Sequence, residues 1–204
     1  MPNVNRPNGL SPYRYMDSSP YNGGGDVYYI PSTDVNAFAI GDPVKTLTGA
    51  ADANGTPAVT LAVAGDSQPI RGVIVSMGGT VEGAMYGDPA NLNITVIPAT
   101  KTYGYYVMVV DDPNVLFLVQ EFSGVGSTNF TAADIGKNAN LKAGTNNGYC
   151  SGWTLDDTAV SATAATRQVK LMGIMRSADN AIGSYCKFIV RINNHELNAG
   201  TAGV

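Results

Sequence analysis

The chain has 204 residues, a length that suits one domain or one domain with an extension. Hydrophobic residues make up 44% of it, enough for a core, whereas charged residues make up only 14%, against a usual share of about 25%. The net charge of −4 argues against a basic nucleic-acid-binding surface, so we expect no direct nucleic-acid partner.

The low charge indicates that much of the surface meets other protein, because freely diffusing proteins keep more charge for solubility. The alternative is a glycine-rich β protein that carries few charges for no functional reason. No apolar run of about 18 residues occurs, and the first residues contain no hydrophobic signal region. We therefore expect neither a membrane span nor a secretory signal.

Residues 1–25 are predicted to form an extended arm. Pro2, Pro7, Pro12 and Pro20 forbid a regular helix, and the segment holds more aromatic residues than a disordered tail would. The functional hypothesis is an arm that orders on a partner surface, while the alternative is an arm folded back over its own domain. The predicted contact residues, in and just after the arm, are Arg6, Leu10, Tyr13, Tyr15, Tyr21, Tyr28 and Tyr29.

Residues 26–204 are predicted to form a single all-β domain, a small barrel or sandwich with at most one or two short helices. Alternating apolar residues at 59–63 and 70–75, with Asn54-Gly55 as a hairpin signal, are typical of short strands joined by tight turns. Exposed loops are expected near 77–93 and 138–150. Residues 131–136 have the pattern of one short capped helix.

Two strand pairs stand out in the second half of the chain. The apolar runs 105–110 and 115–120 flank a turn cluster at 111–114 and predict a hairpin. The segments 168–176 and 186–192 both show period-two patterning, and we expect them to pair at the centre of a sheet.

Residues that support catalysis or metal binding are sparse in the sequence. His195 is the only histidine, and at a strand end it is expected to be a surface or hydrogen-bonding residue rather than a base. The pairs Asp111/Asp112 and Asp156/Asp157 lack the spacing of glycosidase carboxylates or of a calcium loop. Cys150 and Cys186 do not have the spacing of metal ligands, and we expect both thiols to be reduced. A disulfide between them is the alternative. We expect no enzyme activity, cofactor or metal.

Several segments, in this order along the chain, resemble the capsid decoration or cement proteins of tailed bacteriophages. They are residues 3–10 with Pro12, then 20–23, 29–34, 40–44, 111–115, 179–183, 192–197 and 200–204. No single segment is a chemical motif, so the resemblance depends on their number and order.

The resemblance implies a non-enzymatic β-rich protein on the exterior of a virion capsid, assembled in the host cytoplasm. Its implied partners are the major capsid protein and copies of itself, as a dimer or trimer, and its implied role is to cement neighbouring capsomers. Many weak contacts repeated around a shell gain avidity of roughly 10² to 10⁴.

The alternative is a receptor- or carbohydrate-binding β module on a virion, for which Tyr103, Tyr105 and Tyr106 would form a stacking platform. Packing in a strand is the simpler role for these tyrosines.

Overall fold

The predicted strand pair in the last quarter of the chain lies at the centre of a six-stranded sheet. The computed structural model describes residues 3–78 and 94–198. In these ranges the fold is all-β, as predicted, with a 3₁₀ helix at Ala132–Asp134. The strands in chain order are β1 (Ser11–Tyr15), β2 (Asp26–Ile30), β3 (Phe38–Ala39), β4 (Pro43–Ala51), β5 (Pro57–Leu61), β6 (Gly72–Met77), β7 (Val96–Ile97), β8 (Tyr105–Val110), β9 (Val115–Gln120), β10 (Asn138–Lys142), β11 (Thr154–Ser161), β12 (Val169–Ile174) and β13 (Lys187–Ile192).

The large sheet has the strand order β1-β9-β13-β12-β10-β11, and every neighbouring pair is antiparallel. Its two central strands, β13 and β12, are the predicted pair. Along β13 the burial alternates: Phe188, Val190 and Ile192 are buried, while the residues between them are half-buried. The period-two pattern of the sequence therefore predicts correctly which side of this strand faces the core.

The second unit is a closed five-stranded barrel in the order β2-β5-β4-β6-β8. The β2–β5 pair is parallel and the other described pairs are antiparallel. The predicted turn at Asn54-Gly55 joins β4 to β5, and Gly55 adopts a positive φ of 86°, which favours glycine. Strands β3 and β7 form a separate two-stranded ribbon.

The barrel and the six-stranded sheet share a hydrophobic core. Phe117 and Phe188 on the inner face of the sheet pack with the barrel residue Val73 in one buried cluster. Trp153, just before β11, and Ile70, just before β6, belong to the same cluster. A second cluster fills the barrel itself. Since apolar contacts continue from one unit to the other, the barrel covers one face of the sheet. Part of the opposite face is covered by the N-terminal residues, because Asn5 and Arg6 bond to the buried Gln120.

The hairpin predicted for residues 105–120 is wrong. Strand β8 pairs with β2 and β6 in the barrel, whereas β9 pairs with β1 and β13 in the sheet. The turn at 111–114 exists, with the Asp112 carboxylate accepting a hydrogen bond from the Asn114 N–H at 2.8 Å, but it carries the chain from one unit to the other. A turn signal does not determine which strands pair on either side of it.

The loop predicted near 138–150 is wrong at its start, because Asn138–Lys142 forms β10 between β11 and β12. The asparagines that suggested a loop satisfy their amides by tertiary hydrogen bonds: Asn138 donates to the Ala164 carbonyl at 3.1 Å, and Asn140 donates to the Asp66 carboxylate at 2.8 Å. Most of the loop predicted near 77–93 lies outside the described residues. The short capped helix is confirmed, with Thr131 and Asp134 forming a capping box.

Candidate functional site

The N-terminal segment, residues 3–15, lies on the chain's own six-stranded sheet. The Asn3 side chain donates to the Ala181 carbonyl at 2.7 Å, and the Gln120 side chain bridges the Arg6 N–H and the Asn5 side chain at 2.7 and 2.8 Å. Strand β1 then pairs with β9 as the edge strand. The segment is thus folded back onto its own domain, which was the alternative to an arm reaching a partner.

Two of the predicted contact residues are interior. Leu10 is fully buried in the core shared by the sheet and the barrel, and Tyr28 is 2% exposed in the barrel cluster. A partner-interface role for these two residues is therefore wrong. The apolar and aromatic character that suggested a contact surface is used instead for the chain's own packing.

The remaining tyrosines of the prediction are half-buried, apart from Tyr13. The rings of Tyr15 and Tyr21 lie 6.3 Å apart, and the Tyr21 hydroxyl donates to the Gly24 carbonyl at 2.7 Å. Tyr29 packs against the Tyr106 ring at 5.6 Å. Only Arg6 and Tyr13 keep exposed side chains, so these two positions still fit the interface prediction.

The Tyr28 hydroxyl belongs to a polar network at the junction of the two units. It donates to the Asp111 carboxylate at 2.6 Å and accepts from the Arg71 guanidinium at 2.8 Å, while Arg71 also pairs with Asp111 at 3.1 Å. Burial, assisted by Asp111, raises the pKa of Tyr28 well above its ordinary value. Asp111, considered above as a possible acid–base or calcium residue, is held in this structural network.

The outward surface of the six-stranded sheet, which we call the outer face, carries a row of cations. Directly opposite residues of antiparallel strands lie on the same face, and the pairing runs across four strands. Arg14 lies opposite Leu116, Leu116 opposite Arg191, and Arg191 opposite Lys170. Arg191 also donates to the Pro113 carbonyl at 3.0 Å, which holds its guanidinium across the sheet.

Beside the cation row runs an apolar row on the same face. Leu118 lies opposite Ile189, and both are half-buried on the side of the sheet away from the core. A shallow groove of about 410 Å³ lies beside Ile189. It is lined by Tyr13, Arg14, Met172, Gly173, Ile174, Arg176 and Ile189. The lining contains two arginines and no carboxylate.

Sequence reasoning did not identify the outer face as a site, although part of its signal was available. Lys187 and Arg191 occupy the outward positions of β13, with Ile189 between them. The strand register that places Arg14, Arg191 and Lys170 in one row could not be predicted from the sequence. That register depends on pairing between strands far apart in the chain.

Two buried carboxylates hold the loop between β9 and the 3₁₀ helix: Glu121 at its start and Asp157 from strand β11. Glu121 is fully buried and accepts the Phe130 N–H at 2.7 Å; burial, and then the nearby Asp157, raises its pKa to about 7. One oxygen of Asp157 accepts from the Ser127 hydroxyl and from the Thr128 N–H at 2.6 and 2.5 Å. Both side chains thereby anchor the loop to the sheet.

His195 is buried rather than at the surface. Its Nδ1 accepts the Leu197 N–H at 3.0 Å, as expected of a hydrogen-bonding residue, and burial lowers its pKa. The three tyrosines considered as a sugar platform do not share one surface, because Tyr106 is buried and donates to Asp52 while Tyr103 is exposed. Both cysteines are free thiols.

Within residues 3–78 and 94–198, no group of three or more His, Cys, Asp or Glu side chains is placed to hold a metal ion. Helices long and apolar enough to cross a membrane are likewise not found in that part of the chain. Comparison with protein-family models, with curated proteins and with solved structures gave no match.

Proposed function

We propose that this chain is a non-enzymatic structural protein of a tailed-phage head, which binds the outside of the capsid lattice and cements neighbouring capsomers. The sequence resemblance to decoration proteins is the starting point of the proposal. The partners it implies are the major capsid protein and further copies of the chain itself.

The observation that carries the proposal is the outer face of the six-stranded sheet. A shallow groove lined by Ile189 and the exposed Met172 lies between Arg14 and Arg176 on a surface of the sheet that the barrel does not cover. Exposed apolar surface with a polar rim is typical of a site that binds another protein. The low overall charge of 14% supports the same function, because a surface that meets other protein needs less charge for solubility.

The way the chain secures its own N-terminal segment also suits a cementing role. Residues 3–15 are fastened to the sheet through Asn3, which bonds to Ala181, through Gln120, and through the pairing of β1 with β9. A closed barrel and a hydrogen-bonded sheet hold the outer face rigid, so binding a partner costs little conformational entropy. Small contacts on such a body become strong when repeated around a shell.

The test is to purify heads of the phage that encodes this chain and to quantify it by mass spectrometry and electron cryomicroscopy. We expect stoichiometric copies at symmetry-related positions on the capsid exterior. Heads assembled without the protein should rupture at a lower temperature, and adding the purified protein should restore the rupture temperature. Finding the protein in the lysate but not on heads would refute the proposal, and specific glycan-array binding would favour the receptor-binding alternative.

A further inference from the structure

We infer that the groove on the outer face is the docking site of a carboxylate-bearing protein surface, with Arg14 and Arg176 binding carboxylates on either side of an apolar side chain seated on Ile189. This inference rests on the proposed function, since it takes the partner to be the capsid lattice. It adds the chemistry of the partner's surface and the residues that recognise it.

The groove has the layout of a two-sided clamp. Tyr13 and Arg14 come from the edge strand β1, while Met172 and Arg176 come from β12 and the turn after it. Ile189 of the intervening strand β13 lies among them. An apolar side chain with acidic neighbours would match an apolar floor between two guanidinium groups.

Charge complementarity identifies the occupant as acidic. Five of the 12 basic residues of the chain lie on the outer face or its rim. The five are Arg14, Lys170, Arg176, Lys187 and Arg191. Asp179 is an acidic residue at the margin, near Lys187. The positive charge is therefore concentrated where the partner would bind.

Arg14 is held in a conformation suited to a carboxylate. One of its terminal nitrogens donates to the Ser18 hydroxyl at 2.7 Å, and its guanidinium carbon lies 5.9 Å from the centre of the Tyr13 ring. A guanidinium held in this way can present another edge to a carboxylate for a two-point hydrogen bond. The apolar floor beside it and the net charge of −4 favour a protein partner over nucleic-acid phosphate.

The experiment measures binding to heads that lack the protein. Arg14→Glu and Arg176→Glu are each expected to weaken binding at least about 10-fold, with a steeper loss as salt is added. Lys45→Glu is the matched control: it makes the same change in net charge on a barrel strand, and it should change binding less than about 2-fold. Thermal unfolding of each variant, with Arg14→Gln as a milder substitution, separates loss of binding from loss of folding.

A zero-length carbodiimide reaction provides an independent readout, because it joins amines to carboxylates in direct contact. We expect amide cross-links from Lys170 or Lys187 to aspartate or glutamate of the capsid protein. If the wild-type chain does not bind heads, the proposed function fails and the inference with it. If it binds but the arginine variants bind equally well, only the inference fails. Binding of duplex DNA at about 150 mM salt that Arg14→Glu abolishes would also overturn it.

Discussion

Replacing Glu121 by glutamine should change how stability depends on pH. The carboxyl is fully buried, and its pKa rises from 4.5 to about 7 in the folded protein, first because of burial and then because of the nearby Asp157. A raised pKa means that the folded state binds the proton more tightly than the unfolded state does. This contribution to stability is complete below about pH 4.5 and is lost as the pH rises through about 7.

The magnitude follows from the size of the pKa change. Each pKa unit corresponds to about 1.4 kcal/mol, so ionising Glu121 costs the folded state about 3 kcal/mol between pH 4.5 and pH 8. Glutamine cannot ionise, and its side-chain carbonyl can still accept the Phe130 N–H. Glu121→Gln should therefore keep about 3 kcal/mol of stability that the wild type loses over this range. Asp42, whose pKa burial raises to about 6, contributes equally to both proteins and cancels in the comparison.

The assay is urea unfolding of both proteins at pH 5, 6, 7 and 8, with the free energy of unfolding extrapolated to water. Asp26→Asn serves as the control, because it removes an exposed carboxylate at the start of β2 and should follow the wild-type curve. If the Glu121→Gln and wild-type curves run parallel from pH 5 to pH 8, Glu121 does not titrate in this range and the reasoning is wrong.

Three further outcomes are expected. Leu10→Ala should lower the free energy of unfolding by about 2 to 5 kcal/mol in urea titrations, since it empties a fully buried site. Tyr13→Ala on the same segment should lower it much less, and equal effects would contradict the burial of Leu10. Gly9→Ala should also lower the midpoint of thermal unfolding, because Gly9 has a φ of 64° and a methyl group there would meet neighbouring backbone. An unchanged midpoint would count against this close approach. A thiol reagent should label half-buried Cys150 in the native protein and Cys186 only after unfolding, since burial raises the pKa of Cys186 to about 11. A Cys150→Ser variant whose native state still reacts quickly with the reagent would refute this.

Local patterns predicted much of the architecture. Period-two alternation identified β12 and β13 and their pairing, because apolar residues at every second position specify one buried face. The Asn54-Gly55 turn and the capped 3₁₀ helix were also predictable, since each depends on backbone preferences of a few adjacent residues. These features share one property: their determinants lie close together in the chain.

The failures involve partners that are distant in sequence. The runs on either side of the turn at 111–114 have equal hairpin character, yet they belong to different units because each finds a better neighbour elsewhere. The buried amides of Asn138 and Asn140 favour a strand only because carbonyl and carboxylate acceptors come from remote loops. The outer face was missed for the same reason, since its cation row exists only once four strands are in register.

The attachment of β1 to β9 determines when this protein can complete its fold. On the ribosome, residues 11–15 are made about a hundred residues before β9, and β13 follows later still. The nascent chain must therefore keep β1 unpaired until β9 has been made, with Leu10 still in water. Such long-range pairing folds slowly, so production at low temperature or with chaperones should increase the soluble yield.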